Sequence, residues 1–239
     1  MNSYARMMTT APNEYEPLIR ELLSYDAQCK VSSPFVRDDN GKFRPECLPQ
    51  SPLHWSRQVE WPWAILESDP QLHHSCLDVG GGWGVFKYAL ANRVRSVENI
   101  EPSAEFIAKA QSSIDVINTK KNIHQYLGTI ECTPYHRDSF DRIYCISVLE
   151  HIKYNRLQCI REMQRLLKPD GVLMLSMDVV INDGQISKGD MYVGWDEAYE
   201  ILNELRITGL KPHDVYSMAY VPNIDVWIAV ILCRWIKPN

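Results

Sequence analysis

Residues 76–86 read CLDVGGGWGVF, an apolar run that gives way to four glycines and then turns apolar again. So dense a loss of side chains is required where the backbone must take positive φ, or where something comes against the main chain itself. The flanks locate it. SCLDVG has the character of a buried strand and GVFKYALAN that of a helix, so the glycines fall at a strand-to-helix turn. In an open parallel sheet such turns lie beyond the carboxyl ends of the strands, where ligands bind.

The alternation continues along the chain. VRSVENIE predicts a second strand and SAEFIAKAQSSID a helix capped by Ser103. NIHQYLGTI and FDRIYCISVL predict strands three and four, and RLQCIREMQRLL a helix stopped by Pro169. GVLMLSMDV reads as the fifth strand, WDEAYEILNELRITGL as a helix, and KPHDVYSMA with DVWIAVILCRWI as the last two strands. The expected fold class is α/β: a doubly wound, seven-stranded, mostly parallel sheet with a C-terminal antiparallel hairpin.

Residues 1–70 read as an N-terminal helical and irregular extension that caps the site, and 71–239 as the α/β domain proper. In NEYEPLIRELLSYDAQCK, Leu18, Ile19, Leu22 and Leu23 recur at helical spacing. SSPFVRDDNGKFRPECLPQSP carries Pro34, Pro45, Pro49 and Pro52, which suits a wrapping segment or a lid. SRQVEWPWAILES follows, with Pro62 suited to a first helical turn.

Composition narrows the function classes. A chain 45% hydrophobic and 23% charged suits a soluble globular protein. Net charge is −5 and no basic run exceeds the Lys120–Lys121 pair, which disfavours nucleic acid as a partner. The apolar run VWIAVILC is too short to span a bilayer, so no membrane insertion is expected, and MNSYARMMTTAPNEYE has no secretory apolar core. The seven cysteines are scattered without a CxxC pair, so the expectation is no metal site and reduced thiols in the cytoplasm.

Two ligands compete for the glycine turn. A dinucleotide fingerprint, G-x-G-x-x-G/A, fails at Val85 when started from Gly80 and at Trp83 when started from Gly81. What is complete is D-x-G-x-G-x-G: Asp78, Gly80, Gly82 and Gly84. A carboxylate beside the loop repels a pyrophosphate, which prefers bare backbone donors. It favours a ligand of net positive charge, such as S-adenosylmethionine with its sulfonium and ammonium against one carboxylate. Glu101, about 20 residues beyond Asp78 and directly before a helix, stands where an acid accepts the ribose hydroxyls. Glu98, its rival, lies mid-strand.

CLDVGGGWGVF, VENIEPSAEF, SFDRIYCISVLEHI and EMQRLLKPDGVLMLS together resemble motifs I, II, IV and post-IV of the class I, Rossmann-like S-adenosylmethionine-dependent methyltransferases. The resemblance covers residues 75–235. It implies donor contacts from Gly80, Gly81, Gly82 and Gly84, from Glu101 and the adjacent Pro102, and from the ends of strands three and four. One departure stands out: where the family often has an acid directly after the glycine closing strand three, this chain has Gly128-Thr129-Ile130-Glu131. Thr129 or Glu131 could meet the adenine amine, and a backbone contact from Ile130 would survive either way. The same resemblance puts Ser147 near the methionine end of the donor.

On the acceptor side, His151 is a candidate general base, against the plainer reading of a helix-start residue, and Asp178 at the end of strand five is an alternative base. His73 and His74 read as solvated. In HWSRQVEWPWAI, Trp55, Trp61 and Trp63 with Pro62 form an aromatic wall, Arg57 and Glu60 can pair, and Arg57 can meet the donor carboxylate; core packing is the competing reading.

The expected function is transfer of a methyl group from S-adenosyl-L-methionine to an oxygen or nitrogen of a small molecule or short peptide, releasing S-adenosyl-L-homocysteine. A protein or RNA methyltransferase and a donor-binding scaffold without turnover are the alternatives, with a nicotinamide-dependent oxidoreductase behind them. Acceptor identity and oligomeric state are left open.

Overall fold

The computed structural model describes residues 4–7, 12–29, 56–117, 121–180, 192–207, 219–221 and 226–239. In chain order they form β1 (Tyr4–Met7), α1 (Glu16–Gln28), α2 (Arg57–Ser68), β2 (Ser75–Val79), α3 (Phe86–Ala91), β3 (Ser96–Glu101) and α4 (Ala104–Ile117). Then come β4 (Ile123–Leu127), β5 (Phe140–Ile146), α5 (Arg156–Leu166), β6 (Leu167–Val180), α6 (Trp195–Glu204), β7 (Ala219–Val221) and β8 (Val226–Ile236). Helices alternate with strands, parallel and antiparallel pairings both occur, and the class is α/β as expected. By compactness the chain divides into Ala11–Thr129 and a second unit of Met1–Thr10 with Ile130–Asn239.

Within Ala11–Thr129, β2, β3 and β4 run parallel, with Asp78 beside Asn99 and Asn99 beside Gln125. Every residue of β2 is buried, as in a parallel strand covered on both faces. Leu18, Ile19 and Leu22 turn inward from α1, which packs against α2, α3 and α4. Arg93, just past α3, holds that helix through both oxygens of Glu21, at 2.8 and 2.6 Å. Ser103 caps α4, its hydroxyl accepting the Phe106 N–H at 3.2 Å.

Two local expectations are corrected here. Pro62 stands in the interior of α2, not in its first turn, so one helical hydrogen bond is missing. Burial offsets the loss, since Trp61 and Trp63 beside it are almost wholly covered. His74 is also buried: its Nδ1 accepts the Gln71 N–H at 3.0 Å and its ring meets His73 edge-on.

In the second unit, β5 and β6 are parallel, and β6 runs antiparallel to β8 from Val172↔Ile236 to Val180↔Ile228. The far edge of β8 is shared lengthwise by β1, against residues 231–234, and β7, against 226–228. The β7–β8 pair is the expected antiparallel hairpin. β1 has no counterpart in the sequence reading, because four residues are too few for alternation to register. It makes eight strands among the described residues. The proline-rich stretch 32–52, residues 181–191 and the expected strand start at 211–218 lie outside the described residues.

Arg57 and Glu60 form a buried ion pair on α2. Replacing Glu60 by Ala leaves the guanidinium without that carboxylate, and denaturant titration is expected to show a loss of about 3 kcal/mol. A change below about 0.5 kcal/mol would mean that the pair holds nothing.

Candidate functional site

The turn after β2 takes its shape from what lies beneath it. Asp78, the fourth residue of β2, is buried, and its carboxylate reaches under the loop. A Cβ placed on Gly81 would stand 2.1 Å from Asp78 Oδ2 and 2.4 Å from Asn99 Oδ1. Only glycine fits there. Gly80 and Gly82 take φ of +66° and +48°, the second reason for bare backbone. Gly84 closes the turn by donating its N–H to Gly81 O at 3.0 Å, and the Trp61 ring lies 3.6 Å from where a Cβ of Gly84 would be.

Glu101 ends β3 and faces this turn. Its Oε2 accepts the Gly82 N–H at 3.1 Å and its Oε1 accepts the Ser103 N–H at 2.9 Å. The carboxylate is thereby fixed in orientation, while each oxygen keeps a second lone pair for an incoming hydroxyl. Burial raises its affinity for a proton, and the two backbone N–H groups and Lys87 oppose that rise. Burial also lifts the Asp78 carboxyl, from an ordinary 3.8 to about 6; Lys87 opposes the rise and Glu101 adds to it. Asp78 Oδ2 and Asn99 Oδ1 have no hydrogen-bond partner within the protein, although Asn99 Nδ2 donates to Gln125 Oε1.

Three groups here had no place in the sequence reading. Lys87 is fully buried under the loop. Trp83 and Phe106 form an edge-to-face pair with centroids 4.3 Å apart, and Lys109 Nζ lies 4.4 Å from the Trp83 ring. Phe106 comes within 3.7 Å of a Cβ position on Gly82, so this aromatic pair borders the turn beside Glu101. Helical spacing from the Ser103 cap could have placed Phe106; nothing in the sequence marks Lys87 as buried.

Of the remaining candidates in Ala11–Thr129, Pro102 and Thr129 are exposed. Arg57, Glu60, Trp61 and Trp63 are buried together on α2, with Trp61 reaching the loop at Gly84. In the second unit, Ile130 is buried and Glu131 half-buried, its carbonyl accepting from Gln158. Ser147 follows β5 at φ +49°, a strained value for a residue with a side chain, and its N–H bonds to Ser176 Oγ at 3.0 Å. His151 is exposed at the end of a short 3-10 turn, Leu149–His151. Asp178 and the buried Glu150 both bear on Tyr192, whose hydroxyl is pushed up first by burial and then by these two acids.

The donor set in Ala11–Thr129 fits an adenosyl cation: an oriented carboxylate, an aromatic edge, bare backbone, and a buried acid oxygen that no protein group satisfies. Gly81→Ala tests the packing of the turn. Its methyl must displace the Asp78 carboxylate, so a stability loss of about 1–3 kcal/mol and a weakened donor affinity are expected together. Calorimetric titration alongside thermal unfolding reads both.

A family model described as a methyltransferase domain matches residues 77–175. A ubiquinone biosynthesis O-methyltransferase of Haemophilus ducreyi is 29% identical over 144 residues, 58% of this chain and 57% of that protein. A tRNA U34 carboxymethyltransferase of Nautilia profundicola is 26% identical over 135 residues, 54% of this chain and 44% of that protein. This chain therefore matches about half the length of these curated relatives. Among solved structures, the [4+2]-cyclase SpnF matches 99% of both chains at a TM-score of 0.61 and 17% identity, a likeness of fold alone.

Proposed function

We propose that the chain is a class I S-adenosylmethionine-dependent methyltransferase that transfers a methyl group to an oxygen or nitrogen of a small molecule or short peptide, a reading supported by the match of residues 77–175 to a methyltransferase domain model. The observation that carries this is Glu101, tied by the N–H groups of Gly82 and Ser103 into one orientation beside the glycine turn. S-adenosylmethionine supplies an electrophilic methyl group on a sulfonium centre and leaves as S-adenosylhomocysteine.

The residues then have separate tasks. Glu101 accepts the ribose hydroxyls through its remaining lone pairs. Gly80, Gly81, Gly82 and Gly84 let the ligand lie on main chain, and Pro102 with Trp83 and Phe106 borders it. Asp78 acts through space from beneath the turn, as a negative charge favouring a cation. Thr129, Ile130 and Glu131 are assigned to the adenine, Ser147 to the methionine end, and Arg57 to the donor carboxylate. For the acceptor, Asp178 and His151 are the proton-accepting candidates, with Glu150 and Tyr192 beside Asp178. The capping role of residues 1–70, the doubly wound seven-stranded core and a cytoplasmic setting belong to the same reading.

The acceptor class rests on less. The O-methyltransferase relative supports a small molecule, whereas the tRNA relative supports an RNA acceptor. A net charge of −5 weighs against RNA, which needs a positive face. A panel of phenols, amines, short peptides and tRNA, scored for S-adenosylhomocysteine release, tests the choice. Turnover on tRNA alone would overturn the small-molecule assignment, and donor binding without any turnover would favour the scaffold.

Asp78 supplies the pH test. Its folded-state carboxyl holds a proton more tightly than the unfolded one, so its ionisation costs stability as pH rises from about 4 to about 6. A cationic donor selects the ionised form, so donor affinity is expected to fall as pH drops below about 6, approaching tenfold per unit. Asp78→Asn should flatten that fall and stabilise the folded chain at neutral pH. An affinity that does not change with pH in the unaltered protein would remove Asp78 from the electrostatics of binding.

A further inference from the structure

Lys87 is the second residue of α3 and has no exposed surface. Its Nζ donates to three carbonyls of the glycine turn: Gly81 at 3.0 Å, Gly82 at 3.0 Å and Gly84 at 2.8 Å. Three acceptors at these distances take three protons, so the group is an ammonium and its hydrogen bonds are spent on the loop. Burial works against that charge, while Asp78 on β2, Cys29 after α1 and Glu101 on β3 sustain it. The Tyr88 ring lies 5.9 Å from Nζ on the same helix.

The geometry has two consequences. Carbonyls drawn inward onto Lys87 fix the peptide planes of residues 81, 82 and 84, and with them the Gly82 N–H that orients Glu101. The ammonium also offsets one of the two carboxylates, so Asp78, Glu101 and Lys87 together carry one negative charge. The donor has net charge +1 and the demethylated product none.

We propose that Lys87 is a positioning residue of the donor site: it holds the glycine turn in its binding shape before any ligand arrives and sets how strongly the site prefers the cationic donor over the neutral product. The inference rests on the donor assignment above. It assigns a role that the three carbonyl contacts carry and that the glycine pattern alone does not contain.

The first readout needs no variant and no ligand. In the unaltered protein, hydrogen exchange of the Gly82 and Gly84 amides is expected to be slow without donor, because both are already bonded. Rapid exchange there overturns preorganisation. Lys87→Met removes the ammonium at similar volume. Both donor and product should then bind roughly tenfold weaker or worse as the turn loosens, while the donor-to-product affinity ratio rises roughly threefold or more, two carboxylates now being uncompensated. Lys87→Arg keeps the charge in a shape that cannot reach all three carbonyls, so both affinities should fall with the ratio unchanged. An unchanged ratio in Lys87→Met overturns charge setting, and unchanged affinities in both variants overturn positioning. Should neither variant fold, the exchange measurement on the unaltered protein decides. An unaltered protein that binds neither compound refutes the donor assignment instead, whatever its exchange pattern.

Discussion

The site depends on one absent side chain. Asp78 Oδ2 and Asn99 Oδ1 occupy the volume where a Cβ of residue 81 would stand, so the turn can pass over the sheet only as glycine. The turn can settle that low because its carbonyls bond to Lys87 and its Gly82 N–H to Glu101. An uncompensated acid in such a place would be costly, and the ammonium moderates that cost without removing it. The result is a main-chain surface with a defined charge, shaped by the protein itself.

The row Asp78–Asn99–Gln125, buried at its first two members, shows how strand register serves this arrangement. The three residues are lateral neighbours in parallel strands, and Gln125 continues the row to α4 by donating to Ile107 O at 3.3 Å. A slip of one residue in β3 would put Glu98 or Ile100 under the turn and turn every side chain of that strand to the other face. Register, set by apolar burial along the strands, therefore decides which polar group the loop meets.

Methyltransfer chemistry asks little of the protein beyond alignment, exclusion of water and the occasional removal of a proton. In the proposed methyl transfer, a donor surface of fixed shape leaves acceptor choice to other segments. A relative named for ubiquinone biosynthesis and one named for tRNA each match a little over half of this chain. The strained Ser147, and the Asp178, Glu150 and Tyr192 group proposed for the acceptor, are features of the second unit alone.

Much of the fold was legible because it follows from periodicity and punctuation: the apolar run of β2, the Ser103 cap and the glycine spacing each act over a few residues. The acid at the end of β3 was legible for the same reason. Three features were not. β1 is a strand because β8 offers it an edge. Pro62 is tolerated inside α2 because aromatic burial outweighs one missing bond. Lys87 reads in one dimension as a surface charge, and becomes an internal ligand of the loop only when three carbonyls converge on it. The chain by itself determined where the backbone must be bare and which carboxylates stand nearby, since those are properties of local conformation. Only the tertiary structure decided which buried groups satisfy them, because hydrogen bonds and ion pairs between distant residues depend on packing, which no short stretch of sequence records.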